Sequence, residues 1–205
     1  MSKFKFEQMD ARLFDILTEL GNIGAGNATT AMAQLLQRRI DMSVPKVELL
    51  PLNQLSDSMG GPESLVVGIL FTLSDDLNGY MMFLLEQESA RNLLNLLLGK
   101  TSKVEEEFSE LDCSALKEIG NIITGAYLSS LAAMTNMRIG ASVPYFSYDM
   151  AGAILSVPAI ECGKLGDHAL IMESQFTEDM KAINGYFILI PTEESYHAIL
   201  SSLGV

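Results

Sequence analysis

The chain is written twice, and this repeat limits its possible folds more than any other feature. Shifted by 99 residues, DILTELGNIGAGNATTAMAQLLQRRIDMSVP (15–45) falls on SALKEIGNIITGAYLSSLAAMTNMRIGASVP (114–144) without a gap, and 12 of the 31 positions are identical. Unrelated segments of ordinary composition would share only a few. The match resumes at NGYMMFLLEQES (78–89) and NGYFILIPTEES (184–195), the second half being seven residues longer between these anchors. A self-similar chain of this length implies one structural unit laid down twice.

Each half reads as a long helix, a turn, strands with a central hairpin and a short closing helix. In the first half LVVGILFTL (65–73) and YMMFLL (80–85) are apolar strands, with DDLNG as the turn between them. In the second half AILSVPAIE (153–161), HALIMESQF (168–176) and YFILIP (186–191) take those parts. SARNLLNLLLG (89–99) is a closing helix stopped by glycine. The acidic KVEEEFSELD (103–112) joins the halves and holds a helix-start signal, Ser109 followed three residues on by Asp112. Hairpins call for an antiparallel or mixed sheet with helices packed on it. The expected fold class is therefore α+β with an internal pseudo-twofold repeat, the two long helices packed on the sheet. A single domain over 1–205 is expected, built from repeats of about 10–100 and 110–205.

Composition narrows the function. With 48% apolar residues the chain can bury a full core. Its 26 acidic and 13 basic side chains leave a formal charge of −13, which argues against nucleic acid or an anionic membrane as partner, since both need clustered Lys and Arg. Cys113 and Cys162 form no CxxC pair, and His168 and His197 are the only histidines, so neither a zinc site nor a disulfide framework is expected. Two reduced thiols fit a cytoplasmic protein. The amino-terminal MSKFKFEQMD is too polar for a signal peptide, and no run approaches 18 apolar residues, so no membrane span is expected.

ELGNIGAGNA (19–28) poses the main choice. A phosphate-cradling loop needs its glycines for close backbone approach to the anion. In the second copy, EIGNIITGAY, Gly24 is replaced by Ile123, no strand precedes either copy, and no Walker lysine is present. The helical reading fits both copies. At 100° per residue, Ile16, Leu17, Leu20 and Ile23 form one stripe, and Asp15, Glu19, Asn22 and Gly26 lie opposite. Ala115, Leu116, Ile119 and Ile122 repeat that stripe against Ser114, Glu118, Asn121 and Gly125. Each half thus presents a carboxylate and a carboxamide one turn apart on an exposed face. The shared glycines cost helix propensity, about 1 kcal/mol each against alanine. Close approach of another helix or of a docked partner would account for them. A purely structural use of Glu and Asn, pinning a neighbouring loop, is the competing reading.

These residues spell Asp15-x3-Glu19-x2-Asn22-x22-Pro45 and Ser114-x3-Glu118-x2-Asn121-x22-Pro144. That doubled pattern resembles the signature of the CheC/CheX/FliY family of chemotaxis phosphatases, and two intact motifs in one chain resemble its CheC-type arrangement. The resemblance implies hydrolysis of the aspartyl phosphate of a CheY-type response regulator. Glu19 and Glu118 would contact the regulator through its active-site lysine, and Asn22 and Asn121 would enter its active site and orient the attacking water. Asp15, Ser114, Pro45 and Pro144 would support the motif, the prolines fixing the chain's exit from the helical region. Mg²⁺ is expected on the regulator's own carboxylates, with no cofactor bound by this chain. The resemblance also implies a second partner, a CheD-type receptor deamidase. Its candidate docking segment is PYFSYDMAGA (144–153), with Tyr145, Phe146, Tyr148, Asp149 and Met150; the same aromatics read equally well as core. A monomer is expected. A non-catalytic scaffold of the chemotaxis or flagellar-switch apparatus is the alternative function.

Overall fold

The computed structural model describes residues 11–36, 41–162, 168–178 and 181–204. Two 26-residue helices, α1 (Ala11–Leu36) and α3 (Glu110–Thr135), carry the two motifs. The helix-start signal at Ser109 is real: the Ser109 hydroxyl accepts from the Asp112 N–H and the Asp112 carboxylate accepts from the Ser109 N–H, a complete capping box. The expected hairpin is β2 (Leu65–Asp75) and β3 (Gly79–Glu86), and its counterpart is β6 (His168–Glu178) and β7 (Lys181–Pro191). Closing helices α2 (Gln87–Leu98) and α5 (Glu193–Leu203) end at Gly99 and Gly204, both with positive φ.

The strands form one antiparallel sheet. Its order is β1 (Asp41–Pro51), β6, β7, β3, β2, with β4 (Ile139–Ala141) and β5 (Tyr145–Met150) both paired to β2. The halves exchange strands across it. β1, from the first half, pairs with β6 of the second, and β5, from the second, pairs with β2 of the first. β3 and β7 meet at the centre.

Alternation along the strands makes two cores. Val67, Ile69, Phe71, Met81, Phe83, Leu85, Phe187 and Leu189 face α1, α3, α2 and α5. Val66, Met82, Leu84, Ile171, Ile188 and Ile190 face the other way, toward a 3-10 helix (Leu52–Met59) and α4 (Ala151–Cys162).

The second of these covers corrects the sequence reading, which took AILSVPAIE for a strand. The segment is most of α4, with Pro158 inside it. Its buried residues are Ala151, Ile154, Leu155 and Pro158, a helical spacing, while Val157 and Ile160 are 48% and 76% exposed. A sequence apolar at all but Ser156 and Glu161 hides that period. β2 also leaves room for the helix at Gly68, where a Cβ would stand 2.8 Å from Cγ2 of Ile154. The seven extra residues of the second half go into α4, 12 residues against 8 in the 3-10 helix, and into a longer second hairpin.

Candidate functional site

α1 and α3 lie against the sheet and against each other, and their packing decides which face stays in water. On α1, Leu17, Leu20, Ala25, Ala28 and Met32 are buried, together with Gly21 and Gly24. The stripe is rotated from the expected one toward the glycine side, and Ile23 falls at its margin, 39% exposed. The cause is α3. At Gly24 an added Cβ would lie 2.6 Å from Cδ1 of Tyr127, so the helices meet closely there. Asn27 Nδ2 donates to Ser130 Oγ at 3.1 Å across the same seam. On α3, Leu116, Ile119, Ile123, Tyr127 and Leu131 are buried, and Gly120 makes room for Ile69 of β2. Ala115 and Ile122 are half-buried and pack on that core.

The opposite faces are solvated. Asp15, Glu19, Asn22 and Gly26 on α1 are exposed, and so are Ser114, Glu118, Asn121 and Gly125 on α3. Among the described residues neither Asn22 nor Asn121 hydrogen-bonds to its surroundings. Two free carboxamides, each a turn beyond a free carboxylate, are thus offered outward from rigid helices. A carboxamide both donates and accepts hydrogen bonds and carries no charge, so it can hold a water molecule without taking its proton. Gly24, which differs between the copies, is an internal packing device. Gly26 and Gly125, which are shared, face open space.

The start of α3 is held more elaborately than sequence reading foresaw. Arg91 of α2 is 1% exposed. Its Nη1 lies 3.5 Å from Oδ2 of Asp112, its Nη2 donates to the Glu106 carbonyl, and its guanidinium stands 4.3 Å over the Phe108 ring. Burial alone would raise the Asp112 carboxyl, but hydrogen bonds from Ser109 and Lys100 and the Lys100 charge outweigh it and hold the group below the usual aspartate range. A lone arginine at the head of the apolar run in SARNLLNLLLG, with an acidic linker beyond, was the only available signal.

Pro45 lies within β1, at a bulge where the register steps between Ser43 and Lys46; proline, having no N–H, is tolerated there. Pro144 precedes β5. On β5, Tyr145 is 70% exposed and Met150 45%, Asp149 is exposed, and Tyr148 meets Phe108 edge to face at 5.0 Å. Phe146 is half-buried against the core. β5 pairs with β2 and, among the described residues, with no other strand. The segment is therefore neither plain core nor wholly free: Phe146 packs inward, Tyr148 touches Phe108 while staying exposed, and Tyr145, Asp149 and Met150 face solvent. Among the described residues no three His, Cys, Asp or Glu side chains are grouped to hold a metal ion, and no helix is long and apolar enough to cross a membrane.

The model of the CheC-like family matches residues 15–49 and 111–148, which are the two motif-bearing segments. The CheY-P phosphatase CheC of Bacillus subtilis (strain 168) is 36% identical over 98% of this chain and 95% of its own length. The crystal structure of Thermotoga maritima FliY superposes with a TM-score of 0.76 at 19% identity, covering 96% of this chain and 98% of that one. A chain of the CheX-CheY-BeF3-Mg+2 complex from Borrelia burgdorferi shares the fold at a TM-score of 0.51 and 19% identity, covering 81% of this chain and 94% of that one.

Proposed function

The chain belongs to the CheC-like family, and from that premise we propose that it is a protein phosphatase acting on the aspartyl phosphate of a CheY-type response regulator. The observation that carries this reading is the pair of exposed, unengaged asparagines, Asn22 and Asn121, each one turn beyond an exposed glutamate.

An acyl phosphate is already activated, so the phosphatase needs neither nucleophile nor strong base. Glu19 or Glu118 makes a charge-assisted contact with the regulator's active-site lysine and sets the helix in register. Asn22 or Asn121 then reaches the phosphoryl group and orients a water in line with the bond to be broken. Water oxygen bonds to phosphorus as the bond to the aspartyl oxygen breaks; inorganic phosphate leaves and the aspartate is regenerated as a carboxylate. The catalytic contribution is positioning, the main demand of phosphoryl transfer. Mg²⁺ belongs to the regulator's carboxylates. The proline, Asp15 and Ser114 positions support the motif helices.

A second partner, a CheD-type deamidase, docks on the open edge of β5 by strand addition, with Tyr145 and Asp149 as side-chain determinants. The protein acts as a cytoplasmic monomer, since one chain holds both sites. Decay of a phosphorylated CheY-type regulator tests the main reading: the chain speeds phosphate release, and Glu19→Gln with Glu118→Gln raises KM about tenfold or more, the range for a lost charged contact. Binding of the regulator without faster decay would instead leave a scaffold. Tyr145→Ala with Asp149→Ala weakens CheD-type binding and leaves regulator decay alone.

A further inference from the structure

Four of the five motif-helix glycines divide into two kinds. Gly24 and Gly120 are filled against Tyr127 and Ile69, where a Cβ would come within 2.6 and 2.7 Å of the neighbouring side chain. Gly26 and Gly125 are exposed, lie inside regular α-helix, and a Cβ added at either meets nothing within 4 Å. Neither has a positive φ. Among the described residues nothing in conformation or packing asks for glycine at these two positions, where it weakens the helix. Yet both copies hold it, one turn past the asparagine, although the next residues differ: Asn27 and Ala28 in one copy, Ala126 and Tyr127 in the other.

We infer that Gly26 and Gly125 are clearance positions, kept bare so that the rim of the response regulator's phosphoaspartate pocket can close onto the helix backbone. The inference rests on the phosphatase reading and deepens it. Residues four apart on a helix are surface neighbours. An asparagine carries its amide immediately beyond Cβ, so to reach a recessed phosphoryl group the helix itself must come nearly to the partner's surface. Whatever flanks Asn22 and Asn121 is then pressed against that surface. Asp15 and Glu19, or Ser114 and Glu118, stand on the N-terminal side, where a longer side chain bridges to the lysine. On the C-terminal side a methyl group at residue 26 or 125 would hold the amide back, and displacements near 1 Å at such a centre cost about 100-fold in rate.

Alanine substitution separates this role from a structural one, because the two move in opposite directions. Each site is isolated in the full chain: Gly26→Ala in an Asn121→Ala background, Gly125→Ala in an Asn22→Ala background. Each alanine is expected to raise Tm by about 2–4 °C, the gain in helix propensity for a chain of this size. The same change is expected to lower kcat/KM toward the phosphorylated regulator by about 10- to 100-fold, with Ser at the same position worse than Ala. A stabilised variant with unchanged kcat/KM overturns the inference. So does a destabilised one, since the glycine would then serve this chain's own packing. If the Asn22→Ala, Asn121→Ala double variant keeps full activity, the phosphatase reading itself fails; loss in that variant with no loss in the glycine variants overturns the clearance role alone.

Discussion

At Gly24 there is no room for a side chain, and the obstacle cannot step aside. The Tyr127 ring stacks on Phe187 at 4.5 Å between centroids, and Phe187 stacks on Phe83 at 4.7 Å. Gly24→Ala is therefore expected to destabilise by a net of up to about 2 kcal/mol, an overpacking cost of about 1–3 kcal/mol less a helix-propensity gain of about 1 kcal/mol, as read from urea midpoints. Arg91 is a second fixed point. Arg91→Met leaves Asp112 buried and shorn of its guanidinium, with only the 41%-exposed Lys100 as a screened counterion. Breaking a buried pair of this kind costs about 3 kcal/mol or more. Asp112 also sets a pH response. Its carboxyl is held below the usual range, so its stabilisation is complete above the unfolded value of about 4 and is lost as acid carries the pH down through the folded value. Urea midpoints should fall between pH 5 and pH 3 in the parent and fall less in Asp112→Asn.

Among the elements, those written with local signals were legible in the sequence. Ser109 and Asp112 announced the start of α3, Gly99 the end of α2, and DDLNG the β2–β3 turn. Period 3.6 gave the motif helices, and with them the outward placement of Glu19, Asn22, Glu118 and Asn121. α4 was not legible because AILSVPAIE is apolar except at Ser156 and Glu161, leaving little contrast between period 2 and period 3.6; its packing on the sheet face beside the 3-10 helix decides which side chains are covered. The margin at Ile23 was missed because Tyr127, 104 residues away in sequence, turns α1 on its axis. Strand exchange left no local trace either. β1 has its ladder on β6 and β5 on β2, so each half lacks an edge without the other. Expressed apart, 1–102 and 103–205 are expected to give no cooperative thermal transition, and mixing them should restore one; two independently folded halves would contradict the interlocked sheet.

In the whole molecule, one body holds two outward-facing sites that differ in their flanks: Asp15 against Ser114, Asn27 tied to Ser130 on one side, the capped and Arg91-anchored start of α3 on the other. Each candidate site has its glutamate and asparagine on one helix, so on the proposed function removing one should leave the other working, with unequal residual rates. The central claim is that catalysis resides in the two exposed carboxamides. Its most direct measurement is the decay of a phosphorylated CheY-type regulator in the presence of the parent chain, Asn22→Ala, Asn121→Ala and the double variant, with binding to the phosphorylated regulator followed in parallel. Partial activity is expected in each single variant, and in the double variant decay no faster than the regulator's own while binding persists. A double variant that still releases phosphate at the parent rate would contradict it.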